Sequence, residues 1–312
     1  MKVLFMGTPQ FAQASLEAII NSGYQVPAVI TVPDKPAGRG QKIQYSDVKK
    51  YALEKQIPIF QPENLRDPDF LNEIKSIKPD IAVVVAFRKL PKELWSLPSH
   101  GTFNLHASLL PQYRGAAPIN RAVMNGESQS GVTTFFIDDN IDTGNVLFKE
   151  TVAISYDDDA GTLHDKLMNV GSGLVLKTIE AIITGDCRIT EQRSLLKEGE
   201  QLKPAPKIFK EDCRINWDKP AVEVYNHIRG LSPFPTAFCE LSDKTLKENI
   251  LLKVFKASIE EDLQGEKPGS ISTDLKNYFK VSCSDRWICL KEVQAPGKKK
   301  MKIDEFLRGF RQ

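Results

Sequence analysis

The sequence predicts an α/β protein in two parts: a Rossmann-like open sheet of mostly parallel strands, then a small OB-like β-barrel. Three observations carry this. In the first half, short apolar runs alternate with stretches whose apolar residues recur at helical spacing, the rhythm of βαβ units. Those runs are apolar at nearly every position, as in the seven residues from Ile81 to Phe87, which suits parallel strands covered on both faces. Beyond Pro206 the pattern changes to five short segments at strand spacing, the number an OB-like barrel needs.

Taken in order, strands are expected over residues 3–6 and 26–32 and helices over 11–22 and 47–55. A helix over 70–77 follows, then strands over 81–87, 101–105, 131–137 and 146–154. A long helix over 162–183, with Leu, Val and Ile along one side, completes an open α/β domain spanning 1–186. Periodicity fades over 187–206, and Pro204 and Pro206 break any helix there, so an extended linker is expected. The remaining domain, 207–312, has a helix over 221–229 and strands over 236–241, 251–257, 269–272, 279–283 and 287–293.

A chain of 312 residues with 41% hydrophobic content can bury a sizeable core. No uninterrupted apolar run approaches the ~18 residues that cross a bilayer, and Met1 leads directly into a strand-like segment, so a cytoplasmic protein with no membrane partner is expected. It is expected to act as a monomer. The five cysteines form no Cys-x-x-Cys pair, which points to reduced structural thiols and to neither a disulfide framework nor a zinc site. Net charge is only +2, but residues 207–312 hold 20 Lys and Arg against 16 Asp and Glu. A mildly basic second domain hints at an anionic partner.

Gly7-Thr8-Pro9 follows the first strand, where an open α/β sheet turns toward its ligand crevice; the glycine serves either close approach of a ligand or a tight turn. The Gly-x-Gly-x-x-Gly fingerprint is missing, which disfavours a dehydrogenase. Asn104 and His106 stand two apart at the end of a strand, so their side chains leave on the same face at the edge where such sheets bind ligands. Read alone, that pair is better explained by structural hydrogen bonding, and Asp142, before Thr143 and Gly144, by a turn.

The stretch from Phe103 to Ile119, Phe-Asn-Leu-His-Ala-Ser-Leu-Leu-Pro-Gln-Tyr-Arg-Gly-Ala-Ala-Pro-Ile, closely resembles the signature of the folate-dependent formyltransferase family. Ile141-Asp142-Thr143-Gly144 resembles that family's second catalytic motif, and the resemblance runs over nearly the whole chain. It implies a catalytic trio of Asn104, His106 and Asp142, with Asp142 the partner of His106, 10-formyltetrahydrofolate as formyl donor, and no metal. The turn Ser108-Leu109-Leu110-Pro111 resembles the family's folate-contacting turn, with core packing the rival reading for both leucines. Phe87 and Leu90 lie in the segment that lines the pterin pocket in the family. That segment, Ala86-Phe87-Arg88-Lys89-Leu90-Pro91, departs from the Ala-Tyr-Gly-x-Ile-Leu-Pro of tRNA-specific members by being one residue shorter.

Within the family, the ten residues from Pro33 to Lys42 resemble a basic loop that tRNA-specific members insert after the second strand. This implies initiator methionyl-tRNA as acceptor, with Lys35, Arg39 and Lys42 clasping its acceptor end through phosphates and base stacking. By itself the Pro and Gly density reads as an exposed mobile loop. Lys207, Arg214 and the run Lys298, Lys299 and Lys300 would meet the tRNA backbone, unless they only solvate the surface. Three other readings stay open: a formyltransferase acting on an amino sugar nucleotide, a hydrolase releasing formate from the same donor, and a non-catalytic RNA-binding module.

Overall fold

The first strand, β1 (Val3–Gly7), is buried at all five positions, as expected for a parallel strand covered on both faces. The computed structural model describes residues 1–37, 42–242, 250–263 and 265–310. Two compact units are built from interleaved segments: Met1–Gly115, Ser130–Val152 and His164–Pro204 in the first, Ala116–Gln129, Ala153–Leu163 and Ala205–Gln312 in the second.

In the first unit, β1 is followed by α1 (Gln10–Asn21), β2 (Val29–Ile30), a short hairpin of β3 (Lys35–Ala37) and β4 (Lys42–Gln44), and α2 (Asp47–Glu54). Then come β5 (Ile59–Phe60), α3 (Pro68–Ile77), β6 (Ile81–Val85), α4 (Lys92–Trp95) and β7 (Thr102–His106). After α5 (Pro118–Met124), which belongs to the second unit, the sheet resumes with β8 (Gln129–Phe136) and β9 (Val146–Ala153), and α6 (Ala160–Thr184) follows.

The seven sheet strands run in the order β5-β2-β1-β6-β7-β8-β9. All pairings from β5 to β7 are parallel, and β8 joins antiparallel to β7 with His106 opposite Thr133. The chain order reverses at β1, between β2 and β6, so the carboxyl ends of β1, β6 and β7 open on one crevice edge.

Local sequence explains the helices. In α1, Phe11, Ala12, Ser15, Leu16 and Ile19 form one buried stripe. Ser46 caps α2 by accepting from the Lys49 amide at 3.1 Å, and Asp67 caps α3 by accepting from Phe70 at 2.9 Å. Gly7 is settled as a packing residue: an added Cβ would fall 2.6 Å from Ala12 Cβ and 3.0 Å from the Val85 carbonyl oxygen. α6 is long and apolar enough, by length and composition alone, to cross a membrane; the polar residues interspersed in it hide this from a search for unbroken apolar runs. Its Leu167, Leu174, Val175 and Ile179 are buried, and Thr178 Oγ1 meets Thr134 Oγ1 of β8 at 2.8 Å.

Three local expectations change. The strand expected over 81–87 stops at Val85 because Ala86 turns with φ +46°. The strand expected over 26–32 keeps only two paired residues, Val29 and Ile30. The segment read as an exposed mobile loop has an ordered stem, with Lys35 paired to Gln44 and Pro36 to Ile43.

In the second unit α7 (Ala221–Leu231) precedes β10 (Ala237–Leu241), β11 (Ile250–Leu263), β12 (Ile271–Thr273), β13 (Phe279–Ser282), β14 (Arg286–Gln294), β15 (Met301–Lys302) and α8 (Ile303–Phe310). The antiparallel order is β10-β11-β14-β13-β12, with β15 on the far end of β14. Register shifts in β11 between Val254 and Lys256 and again after Ile259 bend it, and the sheet curls into a half-barrel. Alternate residues such as Ala237, Cys239 and Leu241 face a core shared with Val224 and Ile228 of α7 and Phe306 and Leu307 of α8.

All five cysteines are free thiols. Burial pushes the Cys239 and Cys283 thiols up to about 12, while Cys187 and Cys289 are only partly buried. Only the thiolate is nucleophilic. Iodoacetamide at pH 8 is therefore expected to alkylate Cys187 and Cys289 in the native protein and to spare Cys239 and Cys283; peptide mass spectrometry showing equal rates at all four would contradict this.

Candidate active site

Asn104 and His106 both lie on β7, with Asn104 facing Val84 of β6 and Phe135 of β8 across the ladder. Their two-residue spacing puts them on one face of the strand. Asn104 is half-buried, and its side-chain amide has no protein hydrogen-bond partner among the described residues. His106 is 7% exposed. Its Nε2 lies 2.9 Å from the Tyr113 carbonyl oxygen, an atom that only accepts, so Nε2 carries the hydrogen. Nδ1 is then the nitrogen left to exchange a proton. It faces Asp142 Oδ2 at 3.8 Å, too long for a hydrogen bond but close enough for a charge on the ring to be felt.

Three devices fix the Asp142 loop. The Gly115 amide donates to Asp142 Oδ2 at 3.0 Å. Thr143 Oγ1 donates to Asp138 Oδ1 at 2.8 Å, closing the loop on itself. Gly144 presses against the end of β8: a Cβ there would sit 1.7 Å from the Phe136 carbonyl oxygen, so no other residue fits. Asp142 itself takes φ +56°, a left-handed conformation that costs energy in a non-glycine residue.

Sequence reasoning missed two further side chains beside this loop. Gln192, 3% exposed, donates through Nε2 to the carbonyls of Asp142 at 3.0 Å and Gly144 at 2.7 Å. Its Oε1 accepts from Arg114 Nε at 3.0 Å and Nη2 at 2.6 Å. Burial pulls the Arg114 pKa down while Asp142 and Asp138 oppose that shift, and the guanidinium stays charged at neutral pH. Arg114 sat inside the quoted signature. Gln192 lies far along the chain in a stretch without periodicity, where nothing local marks it.

The residues expected to meet the folate are distributed unevenly. Ser108, Leu110 and Pro111 are buried. Ser108 Oγ donates to the Gln112 carbonyl at 2.6 Å, Thr133 Oγ1 accepts from the Leu110 amide at 3.1 Å, and Leu110 packs with Phe135 and Val146. Leu109 is half-buried. Leu90 is buried in the cluster that includes Leu4 and Met6, against which the half-buried Phe87 packs. Arg88, the residue that departs from the family pattern, donates to the backbone carbonyls of Glu63 and Pro62 and so ties the shortened segment down. Leu90 and Arg88 line one cavity with Leu65 and Arg66.

Residues 1–179 match the family model described as formyl transferase, and residues 207–311 match the model of the formyl transferase C-terminal domain. The chain belongs to the formyl transferase family. A relative named methionyl-tRNA formyltransferase from Bacteroides fragilis is 49% identical over 310 residues, covering 99% of this chain and 95% of the relative. One of the same name from Flavobacterium johnsoniae is 47% identical over 310 residues, covering 99% and 96%. Among solved structures, an N-formyltransferase from Helicobacter canadensis in complex with folinic acid and dTDP-3-aminofucose superposes with TM-score 0.67 at 24% identity, covering 93% of this chain and 99% of that one. HypX from Aquifex aeolicus in complex with tetrahydrofolic acid gives TM-score 0.65 at 19% identity, covering 99% of this chain and 47% of that one. At such identities the two structures establish a shared fold.

The basic residues expected at a tRNA surface of this formyl transferase fall in both units. In the first, Lys35 is exposed on β3, while Arg39 and the side chain of Lys42 lie outside the described residues. In the second, Lys207 is exposed with its Nζ 5.6 Å from the centre of the Phe209 ring. Arg214 pairs with Glu240 at 3.1 Å and Lys300 with Glu292 at 2.8 Å; Lys298 and Lys299 are exposed beside the latter. Exposed pairs of this kind are weak and can be exchanged for phosphate contacts.

Proposed function

We propose that this formyl transferase moves the formyl group of 10-formyltetrahydrofolate onto the α-amino group of initiator methionyl-tRNA, as a cytoplasmic monomer serving translation initiation. One observation carries the chemistry: a buried His106 facing the partly buried Asp142, on the same strand face as an Asn104 amide with no protein partner among the described residues, at the carboxyl edge of the sheet. The names of relatives close to half identical over nearly the full chain support the acceptor.

Formyl transfer needs a donor to the developing oxyanion, a proton for the departing folate nitrogen and a group to relieve the attacking amine of its proton. The neutral amine forms a bond to the formyl carbon, and the carbonyl electrons move onto oxygen. Asn104 Nδ2 then donates to that oxyanion, a contact that strengthens only as charge develops. His106, protonated at Nδ1, complements the oxyanion and delivers its proton to the folate nitrogen as the C–N bond breaks. Asp142 accepts the proton shed by the attacking amine, directly or through water, and its carboxylate offsets the positive imidazole. The amine is nucleophilic without help, so no covalent formyl-enzyme forms. The turn from Ser108 to Pro111, with Leu109 its less buried side chain, and the segment from Phe87 to Leu90 provide the wall and main-chain groups for the flat pterin. Lys35, Arg39 and Lys42 hold the acceptor end, and Lys207, Arg214, Lys298, Lys299 and Lys300 hold the tRNA backbone.

The purified protein supplied with formyl-labelled 10-formyltetrahydrofolate is expected to place label on initiator methionyl-tRNA and not on an amino sugar nucleotide. Label appearing on the sugar nucleotide, or released as formate with both acceptors present, would replace this reading.

A further inference from the structure

The segment joining the two family domains makes contacts that a spacer does not need. Thr190 and Val146 exchange both backbone hydrogen bonds, at 2.8 and 2.9 Å, pinning the segment beside the start of β9. Two residues on, Gln192 uses both ends of its amide: Nε2 on the carbonyls of Asp142 and Gly144, Oε1 on the Arg114 guanidinium. Farther along, the Lys203 carbonyl accepts from the Tyr113 amide at 2.7 Å, and the Lys203 amide donates to Gln112 Oε1 at 2.8 Å. Gln112 Nε2 in turn donates to Glu200 Oε1 at 2.7 Å.

Tyr113 and Asp142 are the two residues that hold His106, one at each ring nitrogen. A single stretch, 190–203, therefore grips both sides of the histidine. We infer that this stretch is a positioning strap for the His106–Asp142 pair and that Gln192 is its principal residue. The inference rests on the proposed role of that pair in formyl transfer. Asp142 sits in a left-handed conformation that must be imposed by its surroundings. Two carbonyls of its own loop turn to one buried amide, so losing that amide removes both hydrogen bonds and lets the loop relax. Nδ1 and Oδ2 are already 3.8 Å apart, and a further shift of about 1 Å is enough to cost of the order of 100-fold in rate.

Gln192→Ala, and Gln192→Met to keep the volume if alanine folds poorly, test this. Each is expected to lower kcat by about 10- to 100-fold with both KM values within about threefold of wild type. Ser194→Ala, an exposed strap position whose hydroxyl donates to the Glu191 carbonyl, is expected to leave kcat unchanged. A residue acting through Asp142 adds nothing once Asp142 is disabled, so Gln192→Met in an Asp142→Asn background should cost less than about twofold more. Folded Gln192 variants with kcat within twofold of wild type, or a double variant in which the losses multiply, would overturn the strap and leave the catalytic pair standing. Near wild-type rates in His106→Ala and Asp142→Asn would remove the pair, and the strap's purpose with it.

Discussion

His106→Ala is expected to lower kcat for formyl transfer by about 10²- to 10⁴-fold, the range that a positioned acid-base group supplies. Nε2 is held by the Tyr113 carbonyl, which leaves Nδ1, facing Asp142, as the nitrogen that exchanges the proton. The substitution also removes the hydrogen bond that His106 gives the Tyr113 carbonyl, a loss of about 0.5–1.5 kcal/mol. Asp142→Asn separates chemistry from structure. Its amide oxygen can still accept from the Gly115 amide, as Oδ2 does at 3.0 Å, so the loop keeps its anchor while the negative charge is lost. We expect a fall in kcat of about 10²- to 10³-fold with an unchanged unfolding midpoint. Single-turnover rates and thermal unfolding on the same preparations check both; an Asp142→Asn enzyme within fivefold of wild type would take the carboxylate out of the proton path.

The long elements of this fold were readable because burial wrote itself into the sequence at the right period. β1 and β6 are apolar at every position, and the amphipathic stripe of α1 is plain. β5, two residues long, is too short for any periodicity to mark, and β2 lies inside its expected range but pairs over only two residues. α8 was missed although Ile303, Phe306 and Leu307 follow helical spacing, because eight residues after a run of lysines look like a frayed end. At the site, the spacing of Asn104 and His106 was visible in the residues themselves, whereas the pairing of His106 with Asp142, 36 residues away, was legible only through the family resemblance; it depends on β8 running antiparallel beside β7 and the chain turning back at Gly144. Gln192 was out of reach entirely. A polar residue in an aperiodic stretch looks solvated until the fold buries it against the carbonyls to which it donates. The choice between a core role and a ligand role for Leu109 and Leu110 was equally hidden, since adjacent residues of one turn end up half-buried and fully buried.

Asn104 offers the second large effect and the sharper test of mechanism. An amide placed half-buried in an interior strand, with no protein hydrogen-bond partner among the described residues, contributes no protein hydrogen bond to the resting fold. Asn104→Ala is therefore expected to leave the unfolding midpoint equal to or slightly above wild type while kcat falls about 10²- to 10³-fold, the loss typical of an oxyanion donor. Stability and activity moving in opposite directions marks a residue kept for chemistry. Asn104→Asp sharpens the case because it preserves size and replaces the donor with a negative charge facing the developing oxyanion. If Asn104 acts by donating, aspartate must be slower than alanine in single-turnover transfer at pH 7.5. If it only shapes the crevice, the near-isosteric aspartate should be the faster of the two, and the order of those two rates decides between the roles.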